Sequence, residues 1–296
     1  MVRKTRLYPT SHKAQSAKFR TRATAHFCRA ASPSRLRQQQ LSSKFIHSTL
    51  CGYTSSACEK GETKLLAVNF ENVADATPIK VVDLVKAEGG FVGSTDSSLA
   101  DQIWTYSRQE GWNKYYYYKK TRAPVAEYWA VVGGTSEIDA NVSVGPGSSI
   151  FFVRSNGSSS SATTLTFAGG VVDLKTVKSV DVEKGETKLI CNPWPIGMKI
   201  STFNNLFSSG TVVGSTDASL ADQIWTYSRA NGWKKYYYYK KTRAPVAEYW
   251  AVVGGTTEVT DVDTIDAGAG FFFVRSNSSS SAACTLAFKG PDYKGE

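Results

Sequence analysis

GWNKYYYYKKTRAPVAEYWAVVGG occupies residues 111–134 and returns as GWKKYYYYKKTRAPVAEYWAVVGG at residues 232–255, changed only where Asn113 becomes Lys234. Aromatic and β-branched residues dominate it, glycines bound it, and a Lys-Lys-Thr-Arg cluster with a proline interrupts it. That is the composition of strand, turn and strand. In an extended chain Tyr115 and Tyr117 face one way, Tyr116 and Tyr118 the other. Two roles for the tyrosines stay open. They can stiffen a half-buried sheet through cross-strand pairs, each contributing roughly 0.2–1 kcal/mol. Alternatively, Trp112, Tyr116, Tyr118, Lys119, Lys120 and Arg122, with Trp233, Tyr237, Tyr239, Lys240, Lys241 and Arg243, form exposed aromatic strips flanked by cations. Such strips stack on sugar rings, bases or a partner's side chains.

The repeat extends well beyond this stretch. Residues 93–134 match 214–255 at a shift of 121, and four of the 42 positions differ: Ser97/Ala218, Gln109/Ala230, Glu110/Asn231 and Asn113/Lys234. Upstream, EKGETKLLAVNF from Glu59 pairs with EKGETKLICNPW from Glu183 at a shift of 124. A unit of about 120 residues is a domain rather than a solenoid repeat of about 20–50. The expected organisation is a basic arm (1–50), one β-repeat (51–172) and a second (173–296). The short aromatic runs KLLAVNF, ADQIWTYS, KYYYYK, EYWAVVG, SIFFVRS and TTLTFAG make each unit all-β, an antiparallel sandwich or barrel. VVDLVKAEG and STFNNLFSSG are the nearest approaches to short helices, the second capped by Ser201 or Thr202. Pro124 and Pro245 mark a loop or edge before the next strand. SNGSSSSAT and SNSSSSAA read as flexible hairpin connections.

Charge is unevenly placed. Before Glu59 lie eleven of the 35 basic residues and no acidic one; the remaining 24 face all 25 acidic residues, which leaves the body near −1. The arm's isolated apolar residues cannot offset its ordering entropy, so it is expected to be disordered on its own. It fits a misassigned start, an organelle transit segment, or a tail that neutralises phosphates on nucleic acid or membrane. No run approaches the roughly 18 apolar residues of a membrane span.

The repeats hold little catalytic chemistry. His12, His26 and His47 all lie in the arm, which removes Ser-His-Asp, Cys-His and His-liganded zinc chemistry from the body unless the arm folds back. Cys191 and Cys284 stand where the first copy has Ala67 and Thr163, and are read as buried thiols ahead of one bridge. Asp261, Asp263 and Asp266 lack the spacing of an EF-hand loop and read as turn residues. Asp96 with Asp101, and Asp217 with Asp222, read as turn and cap residues ahead of an acid–base pair. No cofactor motif or metal site is expected, and a carboxylate-based hydrolase is the lesser alternative.

GETKLICNPW, TFNNLF, LADQIWTYS, GWKKYYYY, EYW and IDAGAGFFFVRSN, in that order, resemble the repeats of a family of secreted bacterial all-β proteins of unsettled function. That family's layout is G-x-x-x-L-I-x-N-P, A-D-x-I-x-x-W/Y and I-x-x-G-x-G-F-F-V. The first copy follows with GETKLLAVNF and VGPGSSIFFVRSN, departing at Val68-Asn69-Phe70 and at Ser149, where a second glycine is expected. CGYTSS at Cys51 resembles the opening of such mature proteins. The resemblance covers about residues 51–290 and implies an exported β-protein, without assigning site residues. The expected function is non-catalytic: adhesion, scaffolding or glycan contact at a cell surface or outside the cell, with glycans or surface proteins as partners. The alternative is an intracellular single-stranded nucleic-acid binder, in an organelle or the cytoplasm, using the arm and the aromatic-basic strands.

Overall fold

The structure, a computed structural model, describes residues 51–139 and 142–291. The basic arm lies outside the described residues. Strands dominate, with three short 3₁₀ turns at Ser97–Leu99, Phe203–Leu206 and Ala218–Leu220. The first half contributes β1 (Cys51–Cys58), β2 (Thr63–Ala67), β3 (Phe70–Glu71), β4 (Ile79–Lys80), β5 (Lys86–Ala87) and β6 (Gln102–Ser107). It continues with β7 (Gly111–Lys120), β8 (Ala126–Val131), β9 (Ser143–Val144), β10 (Ser149–Val153) and β11 (Thr163–Val171). The second half runs through β12 (Val177–Val182), β13 (Thr187–Cys191), β14 (Met198–Lys199), β15 (Phe207–Ser209) and β16 (Gln223–Ser228). It closes with β17 (Gly232–Lys241), β18 (Ala247–Val252), β19 (Thr264–Ile265), β20 (Gly270–Val274) and β21 (Cys284–Lys289).

Both halves build a five-stranded antiparallel sheet with the same neighbour order, β2-β10-β6-β7-β8 and β13-β20-β16-β17-β18. A smaller sheet covers each: β1-β11-β3 with β5 beside β11, and β12-β21-β15. All these sheets are open, so sandwich rather than barrel describes the layering. One core lies between Leu165 and Phe167 of β11 and Ile103, Tyr115, Trp129 and Phe152 of the larger sheet. Leu286 and Phe288 meet Ile224, Tyr236, Trp250 and Phe273 in the other. Burying each such side chain stabilises the fold by about 1.5–3 kcal/mol. The chain passes between cores at residues 171–172, where Val172 joins the second core and its carbonyl accepts from Trp194 Nε1 at 3.3 Å. Among the described residues no helix is long and apolar enough to cross a membrane.

Three local expectations are corrected. The segment read as a short helix in the first half is a turn leading into β5, because Val81, Leu84 and Val85 are all drawn into the core. Its counterpart forms only the 3₁₀ turn Phe203–Leu206, and Thr202 at its start makes no side-chain cap. The serine-rich connections are not hairpin loops. Each carries the chain from a larger sheet (β10, β20) to a smaller one (β11, β21), and each begins with a buried arginine and serine.

The four mismatches within the aligned stretch have readable consequences. At Ser97 and Ala218 only the carbonyl is used, accepting from Gln102 Nε2 at 2.6 Å and Gln223 Nε2 at 2.7 Å. Asn113 donates to Glu110 at 2.7 Å, whereas Lys234 reaches Asp263 at 2.6 Å. Position 263 aligns with Val142, so the lysine and its carboxylate are found in the same half. Gln109 and Ala230 line two separate clefts.

All described residues fall within one compact unit, His47–Glu296. The outer faces of the two larger sheets pack on one another through Leu65, Phe151, Leu189 and Phe272. The contacts are reciprocal, as across a two-fold axis. Ala67 N donates to Gly268 O and Cys191 N to Gly147 O, both at 2.9 Å, and bridges pair Leu66 with Ala269 and Ser148 with Ile190. Cys191 remains a thiol, donating to Ser148 O at 3.0 Å, while Cys284 is a separate buried thiol in β21.

Candidate functional site

The twelve residues singled out from the sequence comprise tryptophans at one end of a strand, cations at the other and tyrosines between. Trp112 and Trp233 stand near the start of β7 and β17; Lys119, Lys120, Lys240 and Lys241 stand at the far end, with Arg122 and Arg243 in the turn beyond. Eight residues of strand at roughly 3.4 Å each separate the groups by about 27 Å. They cannot serve one small ligand together. Between them, the expected exposed tyrosines are covered: Tyr116 and Tyr237 retain 2% and 3% exposure, Tyr118 and Tyr239 8% and 9%. The chain following β8 and β18 folds back over them. Gly134 O accepts from Tyr116 at 2.8 Å, Gly255 O from Tyr237 at 2.9 Å, and Tyr118 stacks on Tyr128 with ring centroids 5.1 Å apart. Lys119 and Lys240 are engaged by Glu127 and Glu248, at 3.0 and 3.2 Å.

The opposite pair of tyrosines serves the cores. Tyr117 and Tyr238 pack edge-on against Trp129 and Trp250, and burial, reinforced by Glu127 and Glu248, pushes each phenol up to about 12. A folded value above the unfolded one stabilises the protein below about pH 10 and ceases to do so as pH rises through 12. Stability is therefore expected to fall steeply between those limits. Phenolate absorbance should show late-ionising tyrosines, and Tyr117→Phe with Tyr238→Phe should flatten the alkaline loss; an unchanged profile would refute the assignment.

At the junction of the halves Trp112 and Trp233 meet other aromatic rings. Trp112 lies 5.5 Å from Phe151 and 6.1 Å from Phe272, and Trp233 lies 5.8 Å from Phe272 and 6.1 Å from Phe151. Trp104 and Trp225 flank them. Each donates its indole N–H to a glutamine, Gln102 or Gln223, at 2.7 Å, which fixes the ring. Lys114 and Lys235 lie over these two rings, 4.1 and 3.8 Å from the centroids. A cleft of about 380 Å³ opens here, lined by Tyr106, Trp112, Trp225, Trp233, Lys235 and Phe272, with Thr187 at its edge. Trp112 and Trp233 are 42% and 46% exposed, so they present ring surface to it rather than disappearing into the junction. Two polar clefts, equivalent across the reciprocal contacts, lie alongside: one holds Glu62, Lys64 and Arg229, the other Glu186, Lys188 and Arg108.

The aspartates singled out from the sequence are each engaged by other groups. Asp101 and Asp222 are fully buried and pair with Arg154 and Arg275 at 2.6 and 2.5 Å. Burial pushes both carboxyls up, against the pull of backbone N–H donors and the guanidinium. Asp96 and Asp217 cap 3₁₀ turns, and hydrogen bonds from Ser98 and Ser219 hold them below the usual carboxylate range. Asp261 pairs with Lys199, Asp263 with Lys234, and Asp266 accepts from Thr264.

Sequence reasoning found Trp112 and Trp233 but missed Tyr106, Trp225, Lys235 and Phe272 of the cleft lining. One signal was available: Trp104 and Tyr106 alternate along β6 with core-facing Ile103, so both faces of that strand are apolar, as in a strand buried on two sides. Comparison with models of protein families, with curated proteins and with solved structures gave no match to this chain.

Proposed function

We propose that this chain is a non-catalytic binding protein, exported or held at a cell surface, whose two homologous β-domains meet to present an aromatic surface to glycan. The observation that carries this reading is the half-exposure of Trp112 and Trp233 at the mouth of an aromatic cleft. Exposed clustered apolar rings otherwise face water at a cost, and a monomeric surface rarely keeps them without a ligand. A cleft of about 380 Å³ lies within the range of about 300–1,000 Å³ typical of small-ligand sites. The engagement of Asp101 and Asp222 by arginine supports a binding role over hydrolysis.

Titration of the full chain with an oligosaccharide panel, followed by tryptophan fluorescence, tests the proposal. Trp112→Ala and Trp233→Ala are each expected to weaken binding about tenfold or more, the loss of one stacked ring. Tyr118→Phe and Lys120→Gln should leave binding unchanged, because both lie at the far end of β7. Saccharide binding indifferent to both tryptophans would overturn the assignment of the site.

A further inference from the structure

We propose that the junction cleft is one composite site for an acidic saccharide, with Lys235 pairing the sugar's carboxylate while its ring lies on Trp112 and Trp233. The inference rests on the glycan reading above and narrows it in two respects.

The first is number. Tandem binding units ordinarily hold one site each and gain by avidity. Here the outer faces of the two larger sheets cover one another, and Phe151 and Phe272 face each other with centroids 6.2 Å apart. What stays open is shared: Tyr106 and Trp112 come from the first half, Trp225, Trp233, Lys235 and Phe272 from the second. Neither half alone has these walls, so the cleft exists only where the two halves meet, and one ligand is expected in it.

The second is charge. Lys235 Nζ lies 3.8 Å from the Trp225 centroid, and among the described residues no carboxylate comes within 4.0 Å of it. Its neighbour Lys234 is already neutralised by Asp263. A half-buried ammonium at the edge of an aromatic cleft, held by a ring rather than an anion, repels cationic ligands and retains its capacity to pair with an anion. A single carboxylate on a sugar matches this inventory: one cation, several ring surfaces. A nucleic-acid strand matches it poorly, since it needs a track of cations. Instead, the adjoining cleft sets Asp181, Glu183 and Glu186 beside Arg108 and Lys188, and Lys188 is already paired with Glu186.

The test uses the full chain, calorimetry and tryptophan fluorescence, with tetragalacturonate, its methyl ester and a single-stranded oligothymidylate as probes. One tetragalacturonate per chain is expected, bound about tenfold or more tightly than the ester and weakened by salt. Lys235→Gln should remove that preference without changing ester binding. Lys114→Gln, the equivalent lysine in the other half and outside the cleft lining, should leave it intact. Equal binding of acid and ester, or two ligands per chain, would overturn the inference while leaving the glycan reading standing. Failure of both saccharides, or tighter binding of the oligothymidylate through Trp112 and Trp233, would overturn both.

Discussion

Asp222→Ala is expected to cost about 3–5 kcal/mol of folding stability, the loss that follows when a buried charge is stripped of its partner. The Asp222 carboxylate accepts from Arg275 Nη1 at 2.5 Å and from the backbone N–H groups of Val213 and Ser276, each at 2.8 Å. Arg275 is 2% exposed and also donates to Thr211 O and Ala282 O, so it cannot swing out to water. One side chain thus ties the loop before β16, the end of β20 and the start of the serine-rich connection. Removing it leaves two N–H groups unpaired and a buried guanidinium without its counter-charge. Asp222→Asn should fare little better, since the amide presents donors to donors. Pairing Asp222→Ala with Arg275→Met should recover part of the loss, because the isolated charge is gone while the N–H groups remain unpaired. Asp101→Ala is expected to behave alike, since Asp101 accepts from Arg154, Val92 and Ser155 at 2.6, 2.8 and 2.8 Å. Denaturant unfolding measures these changes. A loss below about 1 kcal/mol would show that the pair is not the anchor described.

The arginine–aspartate knots mark the boundary of what the sequence discloses. Alternation along β7 identifies which tyrosines share a face, because a strand's geometry is local. It says nothing of what later covers that face. Tyr116 loses its exposure to Gly134, 18 residues on, in a segment whose glycines and small polar residues give no sign of covering a ring. Asp101 and Arg154 are 53 residues apart, and each fits a bland role in its own neighbourhood, a turn and a strand end. The repeat does hold a clue: both recur at equal spacing as Asp222 and Arg275. The aromatic junction was hidden for a related reason. Trp104, Tyr106 and Phe151 are good strand formers, and strand formation explains them fully until a second sheet is laid against them. Local periodicity determines strands; partners hundreds of atoms away determine surfaces.

Where the two sheets meet, one of the positions at which the halves differ yields the second large effect. Gly270→Ala is expected to destabilise the unit by about 1–3 kcal/mol, toward the upper end of what overpacking costs. A Cβ at Gly270 would lie 2.4 Å from Ser149 Oγ, 2.6 Å from Ser149 Cβ and 3.0 Å from Leu65 Cδ1. Ser149 is 3% exposed and donates to Ile190 O at 2.7 Å, so it has neither space nor freedom to retreat. Ser149 and Gly270 are equivalent residues of β10 and β20, brought face to face by the reciprocal contacts between halves. Only one of two such positions can carry a side chain. The serine that breaks the glycine pattern in the first copy is therefore what fills the space that the glycine of the second leaves. This makes a sharper test than the single substitution. Ser149→Gly combined with Gly270→Ala should regain most of the lost stability, since the clash needs both side chains. The full exchange, Ser149→Gly with Gly270→Ser, should come close to the parent, because the new hydroxyl would face Leu66 O as Ser149 faces Ile190 O. Non-additivity of this size, measured as a double-mutant cycle in denaturant unfolding, is the signature of residues in direct contact. Additive losses would mean that the halves do not meet through these two strands, and the composite cleft would lose its floor.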